Sequence, residues 1–177
     1  VFRPIWRIQG WECKSVGRNK YLFVFANERD RTRVWEAEPW TFDSNFIAFN
    51  IVDPAVPVAA IRCEEVSMWI QVHDLPLGLM NKATGVKISS DIGKVQEVIT
   101  NEDGSAWGEY LRLRVRLNIR RALKRVSLIT SRGQSHCMRL KYEQLPIFCC
   151  VRGMIGYPSS SCESVSLVEL QKRAWLR

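Results

Sequence analysis

A chain of 177 residues can bury a core as one domain or as two small ones, and its 46% hydrophobic and 25% charged residues are ordinary for a globular protein. Seven Trp and seven Phe exclude a disordered chain, and no apolar run reaches the length needed to span a bilayer. The net charge of +8 is local: residues 110–141 hold ten Lys or Arg and no Asp or Glu, and without those ten the remaining 16 basic and 18 acidic residues balance at −2.

The opening Val1-Phe2-Arg3-Pro4 lacks both an initiator Met and an apolar stretch. It reads as the start of a fragment inside a longer fold, without a secretory signal. An intracellular protein is expected, in the nucleus rather than the cytoplasm. Residues 6–15 carry a weak strand pattern, 17–20 a turn, and 21–25 (Tyr-Leu-Phe-Val-Phe) a strongly apolar strand. Tyr21, Phe23 and Phe25 alternate with Leu22 and Val24, so both faces are apolar and the strand is expected to be central in a sheet. Asn27 suits an N-cap, Glu28 and Asp30 suit the first turn of a helix, and Pro39 stops it. Residues 46–51 resume as a strand, and 53–65, with Pro54 and Pro57 among small residues, read as a linker.

A strand is expected over 67–72, closed by Asp74-Leu75-Pro76. A helix over 79–92 ends at Gly93, and a short strand covers 95–99 before a turn at 101–104. In the next segment Leu111, Leu113, Val115, Leu117 and Ile119 alternate with Arg112, Arg114, Arg116, Asn118 and Arg120. As a strand this gives one apolar face and one nearly all-Arg face; as a helix it gives no clean side. Residues 126–130 and 136–142 read as partner strands around an Arg132-Gly133-Gln134 turn, and 164–177 as a short helix.

Same-face residues on a strand lie about 6.7 Å apart, close to two backbone steps of a nucleic-acid strand at about 3.4 Å each. Arg112, Arg114 and Arg116 are therefore spaced to meet alternate phosphates, with Arg120, Arg121, Lys124, Arg125 and Arg132 extending the patch. The alternative is a solvated sheet face, but such faces mix signs and no acid alternates with these arginines.

Of six cysteines, Cys13 and Cys63 stand in apolar surroundings and are expected to behave as small hydrophobes, and no disulfide framework is expected. Cys149, Cys150 and Cys162 crowd together. The approach Lys141-Tyr142-Glu143-Gln144-Leu145-Pro146 leads into Phe148-Cys149, and Gly153, Gly156 and Cys162 follow. This run resembles the zinc knuckle of plant retroelement-type proteins, with ligand order Cys-x2-Cys-x4-His-x4-Cys. Cys149 and Cys162 match its first and last ligands, whereas Arg152 stands at the second Cys position and Tyr157 at the His position. The resemblance implies zinc in intact relatives and a degenerate knuckle here that holds none. A non-standard site drawing on Cys150, Cys137 or His136 is the alternative.

The resemblance extends upstream. Residues 21–25, Glu38-Pro39-Trp40-Thr41-Phe42-Asp43, residues 69–76, Ile92-Gly93, residues 110–115 and Leu123-Lys124-Arg125 occur in the order found in the domain of unknown function that precedes such knuckles. It implies an α+β fold. A truncated, RNA-recognition-like (ferredoxin-like) part covers 1–52, a linker 53–65, a second small antiparallel α+β subdomain with the basic strand 66–145, the degenerate knuckle 146–163, and a tail 164–177. It also implies binding of RNA or DNA and retrotransposon origin; no membrane partner is expected, since no apolar run is long enough to span a bilayer.

No catalytic pattern appears. His73 and His136 lie outside any H-E-x-x-H run, and neither a phosphate-binding glycine loop nor a G-x-S-x-G elbow is present. The expectation is a non-enzymatic nucleic-acid binder. A self-associating assembly module and a decayed remnant without function are its rivals.

Overall fold

The computed structural model describes residues 6–162; the tail helix expected over 164–177 lies outside them. The fold is α+β, built from antiparallel ribbons and one antiparallel sheet of five strands. No helix among the described residues is long and apolar enough to cross a membrane.

The N-terminal part is hairpin, helix, hairpin. Strands β1 (Trp11–Gly17) and β2 (Lys20–Phe25) pair around a turn in which Asn19 has φ 55°. Helix α1 (Glu28–Glu36) starts where the sequence placed it, because the Asn27 side chain accepts the Asp30 N–H at 2.8 Å. Strands β3 (Trp40–Phe42) and β4 (Asn45–Ile47) form a second ribbon. β2 is not central: among the described residues it pairs with β1 alone, and Tyr21 and Val24 are exposed. Phe23 and Phe25 pack with Trp6, Ile8, Val34, Trp11, Trp40 and Phe49, while Tyr21, at the far end of the same face, lies outside this cluster. Apolar residues on both faces therefore do not mark burial on both, since here only one face finds aromatic rings to pack on. Cys13 is exposed, as is Cys63, so neither takes up the small-hydrophobe role expected for it.

Residues 53–65 are largely exposed and contain a short 3-10 turn, Val58–Ala60. Lys20 Nζ holds this segment by donating to Val58 O and Ile61 O at 2.9 and 3.0 Å.

The main sheet comprises β5 (Glu65–His73), β6 (Lys94–Val98), β7 (Leu111–Asn118), β8 (Val126–Ser131) and β9 (Gln134–Tyr142), in the order β6-β7-β5-β9-β8. Burial along β7 alternates without a break, with Leu111, Leu113, Val115 and Leu117 inside and the arginines between them half-buried. In register, Leu117, Val115, Leu113 and Leu111 oppose Val66, Met68, Ile70 and Val72 of β5, so one apolar row faces another. Met138 and Leu140 of β9 and Ile88 of helix α2 (Lys82–Ile92) complete this core.

Helix α2 is capped by Asn81, whose side chain accepts the Thr84 N–H at 2.9 Å, and it ends at Gly93. It lies close on the sheet because Gly85 has no side chain: a Cβ there would stand 2.5 Å from Val98 Cγ1 and 3.1 Å from Leu113 Cδ2. Gly85→Ala should therefore destabilise the protein by about 1–3 kcal/mol through overpacking, although Ala is intrinsically the better helix former. Urea unfolding measures this, and a stabilised variant would refute the packing account.

Candidate nucleic-acid interface

The outer face of the main sheet carries Arg112, Arg114 and Arg116 on β7, and all three guanidinium groups have partners inside the protein. Arg112 forms a bidentate pair with Glu143, Nε to Oε1 at 3.0 Å and Nη2 to Oε2 at 2.7 Å. Its guanidinium also lies 4.1 Å from the Trp69 ring centroid, and that of Arg114 lies 5.5 Å from the same centroid. Arg114 donates to the carbonyls of Glu36 and Glu38. Arg116 is the most enclosed, with 11% of its side chain exposed. It donates to Glu38 Oε2 and Glu65 Oε2 at 3.1 Å each, to Ser67 Oγ at 3.3 Å and to Phe49 O at 3.0 Å, and it lies over the Trp35 ring. The Glu38 side chain is fully buried.

The acids absent from residues 110–141 thus arrive from elsewhere. Glu143 follows β9, Glu38 follows α1, and Glu65 begins β5. Arg120 pairs with Glu64 at 3.0 Å, and Arg139 pairs bidentately with Asp74. The face that looks uniformly cationic along one strand is mixed across the fold.

Of the remaining basic residues of the predicted patch, Arg132 lies in the turn between β8 and β9, and the other four lie in the connection between β7 and β8. Arg120, Arg121, Lys124 and Arg125 are exposed there, while Leu123 is buried as an anchor. The backbone of this connection is tied down. Arg120 N–H donates to Asn118 Oδ1 at 2.9 Å, and Arg121 N–H to Asn118 O at 3.2 Å. Lys124 O accepts from the Tyr142 hydroxyl at 2.7 Å, and Arg125 O from Leu140 N–H at 2.8 Å. Burial drives the Tyr142 hydroxyl pKa well above its ordinary value, so it stays a donor. Among the described residues, Arg121 and Lys124 have no acidic partner.

The knuckle segment packs directly on this connection. Its ribbon, β10 (Phe148–Cys149) with β11 (Met154–Ile155), closes around a turn in which Gly153 has φ 70° and its N–H donates to Cys149 O at 2.7 Å. Leu123 N–H donates to Gly153 O at 2.9 Å. A Cβ on Gly153 would stand 3.2 Å from Leu123 O, so the contact also requires glycine. Exposed Arg152 is thereby set beside residues 120–125. Arg152, where the sequence resemblance expects a cysteine, adds a cation near this connection.

The donor set does not fit a structural zinc, which needs four ligands. Cys149 and Cys162 are both buried. Burial pushes the Cys149 thiol up, but hydrogen bonds from the Arg152 N–H, Cys162, the Val151 N–H and Ser159 outweigh it and bring the thiol below its ordinary value. Cys150 Sγ is engaged by Ser159 Oγ at 2.8 Å, and Cys137 and His136 lie on β9. Among the described residues, no group of three or more His, Cys, Asp or Glu is gathered for a metal. His73 is buried at the end of β5, stacks on Tyr110 at 5.2 Å and shares a hydrogen bond with Gln71 Oε1. Burial, with Lys141 and Arg139 behind it, pushes the imidazole pKa down.

No family model matches the chain. Over 134 residues, 75% of this chain, it is 22% identical to an Arabidopsis thaliana protein described as "Uncharacterized protein At4g02000". The match covers 42% of that protein, so the chain spans about two fifths of the relative's length. No solved structure matches.

Removing one partner of a buried ion pair strands the other charge, so Glu38→Ala or Arg116→Ala should each cost about 3–5 kcal/mol in urea unfolding. The double variant should cost less than the sum of the two; strict additivity would show that the pair is not coupled. The Glu143 carboxyl is held below its usual value of 4.5, first by the hydrogen bond from Arg112, against an opposing contribution from burial. The folded state therefore binds fewer protons than the unfolded state, and this contribution is complete above pH 4.5 and disappears as pH falls through the lowered pKa. Glu143→Gln should flatten that acid limb of the stability curve while leaving its shape above pH 6 unchanged. An unaltered acid limb would exclude the role.

Proposed function

We propose that this chain is a non-catalytic nucleic-acid-binding protein of retroelement descent that holds RNA or single-stranded DNA by its phosphates. The observation that carries this reading is the exposed cationic corner formed by Arg121, Lys124 and Arg125 in the β7–β8 connection, with Arg152 of the knuckle segment set against it. A fixed backbone presents these side chains, so binding orders fewer groups than it would on a loose loop. Arg114 and Arg116 act mainly in holding the N-terminal part to the sheet, Arg112 is paired with Glu143, and Arg120 shares its charge with Glu64. Descent rests on the order of the knuckle motif and its approach, Tyr142-Glu143 to Phe148-Cys149. The weak match to a protein without a described function neither adds to nor subtracts from it.

Phosphate binding releases counterions, so the logarithm of the affinity should fall linearly with the logarithm of salt concentration. Arg121→Ala/Lys124→Ala should reduce that slope by roughly one to two units on a single-stranded oligonucleotide. Arg29→Ala/Arg33→Ala on α1, which removes equal charge elsewhere, should leave it nearly unchanged. Identical behaviour of the two variants would eliminate the corner as the site. Self-association is favoured as a second reading by one observation, the exposed Val126 and Leu128 on β8, an edge strand of the main sheet. Sedimentation across the same salt series reads it directly, as a salt-insensitive dimer.

A further inference from the structure

The N-terminal part meets the Glu65 and Asn118 end of the main sheet across an open cleft of about 390 Å³. Trp35 and Phe49 give the cleft apolar walls, and the Arg116 guanidinium lies 4.4 Å from the Trp35 ring centroid. Its polar side chains are each held by one atom and leave another open. Asn118 Oδ1 accepts the Arg120 N–H at 2.9 Å, which leaves its Nδ2 amide as a donor. Glu65 Oε2 accepts from Arg116 Nε at 3.1 Å, and Glu64 Oε1 pairs with Arg120 Nε at 3.0 Å. Glu65 Oε1 and Glu64 Oε2 remain as acceptors, and neither has a hydrogen-bond partner among the described residues. Asn118 and Glu65 stand directly opposite in the β5–β7 register, so the open donor and acceptors are neighbours.

We propose that this cleft is a base pocket for a guanine of the bound single strand; the proposal rests on the reading that the adjoining corner holds the phosphates. Among the common bases, guanine alone presents one acceptor, O6, followed by two donors, N1–H and the N2 amino group, along one edge. That order matches Asn118 Nδ2, Glu65 Oε1 and Glu64 Oε2. Uracil sets its single donor between two carbonyls, so one carbonyl would face a carboxylate. Adenine and cytosine each bring one donor group. The aromatic walls suit the flat faces of a base, as in other single-strand sites. The same two carboxylates repel a phosphate, so the cleft and the corner divide the nucleotide between them. They also adjoin. Arg121 N–H donates to Asn118 O at 3.2 Å, which closes a turn and keeps the two Cα atoms within about 7 Å. A nucleotide spans a comparable distance from its phosphate to the edge of its base.

The test is fluorescence anisotropy of the full chain with three labelled single-stranded RNA probes. All are oligouridine and differ only in the central base: guanine, hypoxanthine, which lacks the N2 amino group, or uracil. The guanine probe should bind roughly ten-fold tighter than the uracil probe, the discrimination expected of a multidentate base contact, with hypoxanthine between them. All three should share one salt slope, because their phosphates are the same. Asn118→Asp keeps the acceptor that holds the Arg120 N–H but removes the donor, so it should abolish the guanine preference in a folded protein. Glu64→Ala, which removes only a partly exposed pair, should do the same. Arg121→Ala/Lys124→Ala should weaken all three probes alike and leave their ratio unchanged. Equal affinities with a normal salt slope would overturn the pocket and leave the corner standing. A guanine preference that survives in both Asn118→Asp and Glu64→Ala would also overturn it. Failure of all three probes to bind at low salt would overturn pocket and corner together.

Discussion

The fold depends on a buried charge pair. Arg116 reaches from β7 to Glu38, at 3.1 Å, where the glutamate is fully enclosed. Removing both groups from water is costly, and a single contact would not offset it. Arg116 also bonds Glu65, Ser67 and the Phe49 carbonyl and lies over Trp35, so most donors of the guanidinium are used. These partners belong to the N-terminal part and to β5. One side chain therefore fixes how the aromatic N-terminal cluster sits on the main sheet, and Arg114 reinforces it through the carbonyls of Glu36 and Glu38.

This arrangement moves the positive potential. Alternation along β7 puts its arginines on one face, but that face is where the N-terminal part docks, offering the Glu38 carboxylate and the carbonyls of Glu36, Glu38 and Phe49. Charge neutralised at Glu38, Glu65 and Glu143 no longer projects far into solvent. The cations left facing water are those that follow the strand, where the chain turns from β7 to β8 and meets the knuckle segment. Arg152 shows the same shift at a single position: it cannot ligate a metal, and it adds charge where charge is already concentrated.

Residues 148–155 are held by local constraints: the β10–β11 ribbon, the left-handed Gly153 and the hydrogen bond from Arg152 N–H to Cys149 Sγ at 3.4 Å. Packing of Leu123 on Gly153 does the rest, and this couples the segment to the basic connection.

What could be read along the chain was what nearest neighbours control. The β7 alternation, the Asn27 cap, the stop at Gly93 and the turn at Arg132 and Gly133 all follow from residues within a few positions of one another, and each appears where the pattern put it. β3 was missed because Trp40 to Phe42 follows a proline and resembles a turn until its partner β4 is known. β2 was taken as central because local sequence shows that a face is apolar, not whether another element covers it. The sequence by itself determined the α+β class and the basic strand. Only the tertiary structure decided which cations face solvent, because the acids that neutralise Arg112, Arg116 and Arg120 lie 31 to 78 positions away or on a different strand, and Coulomb attraction acts across space rather than along the chain.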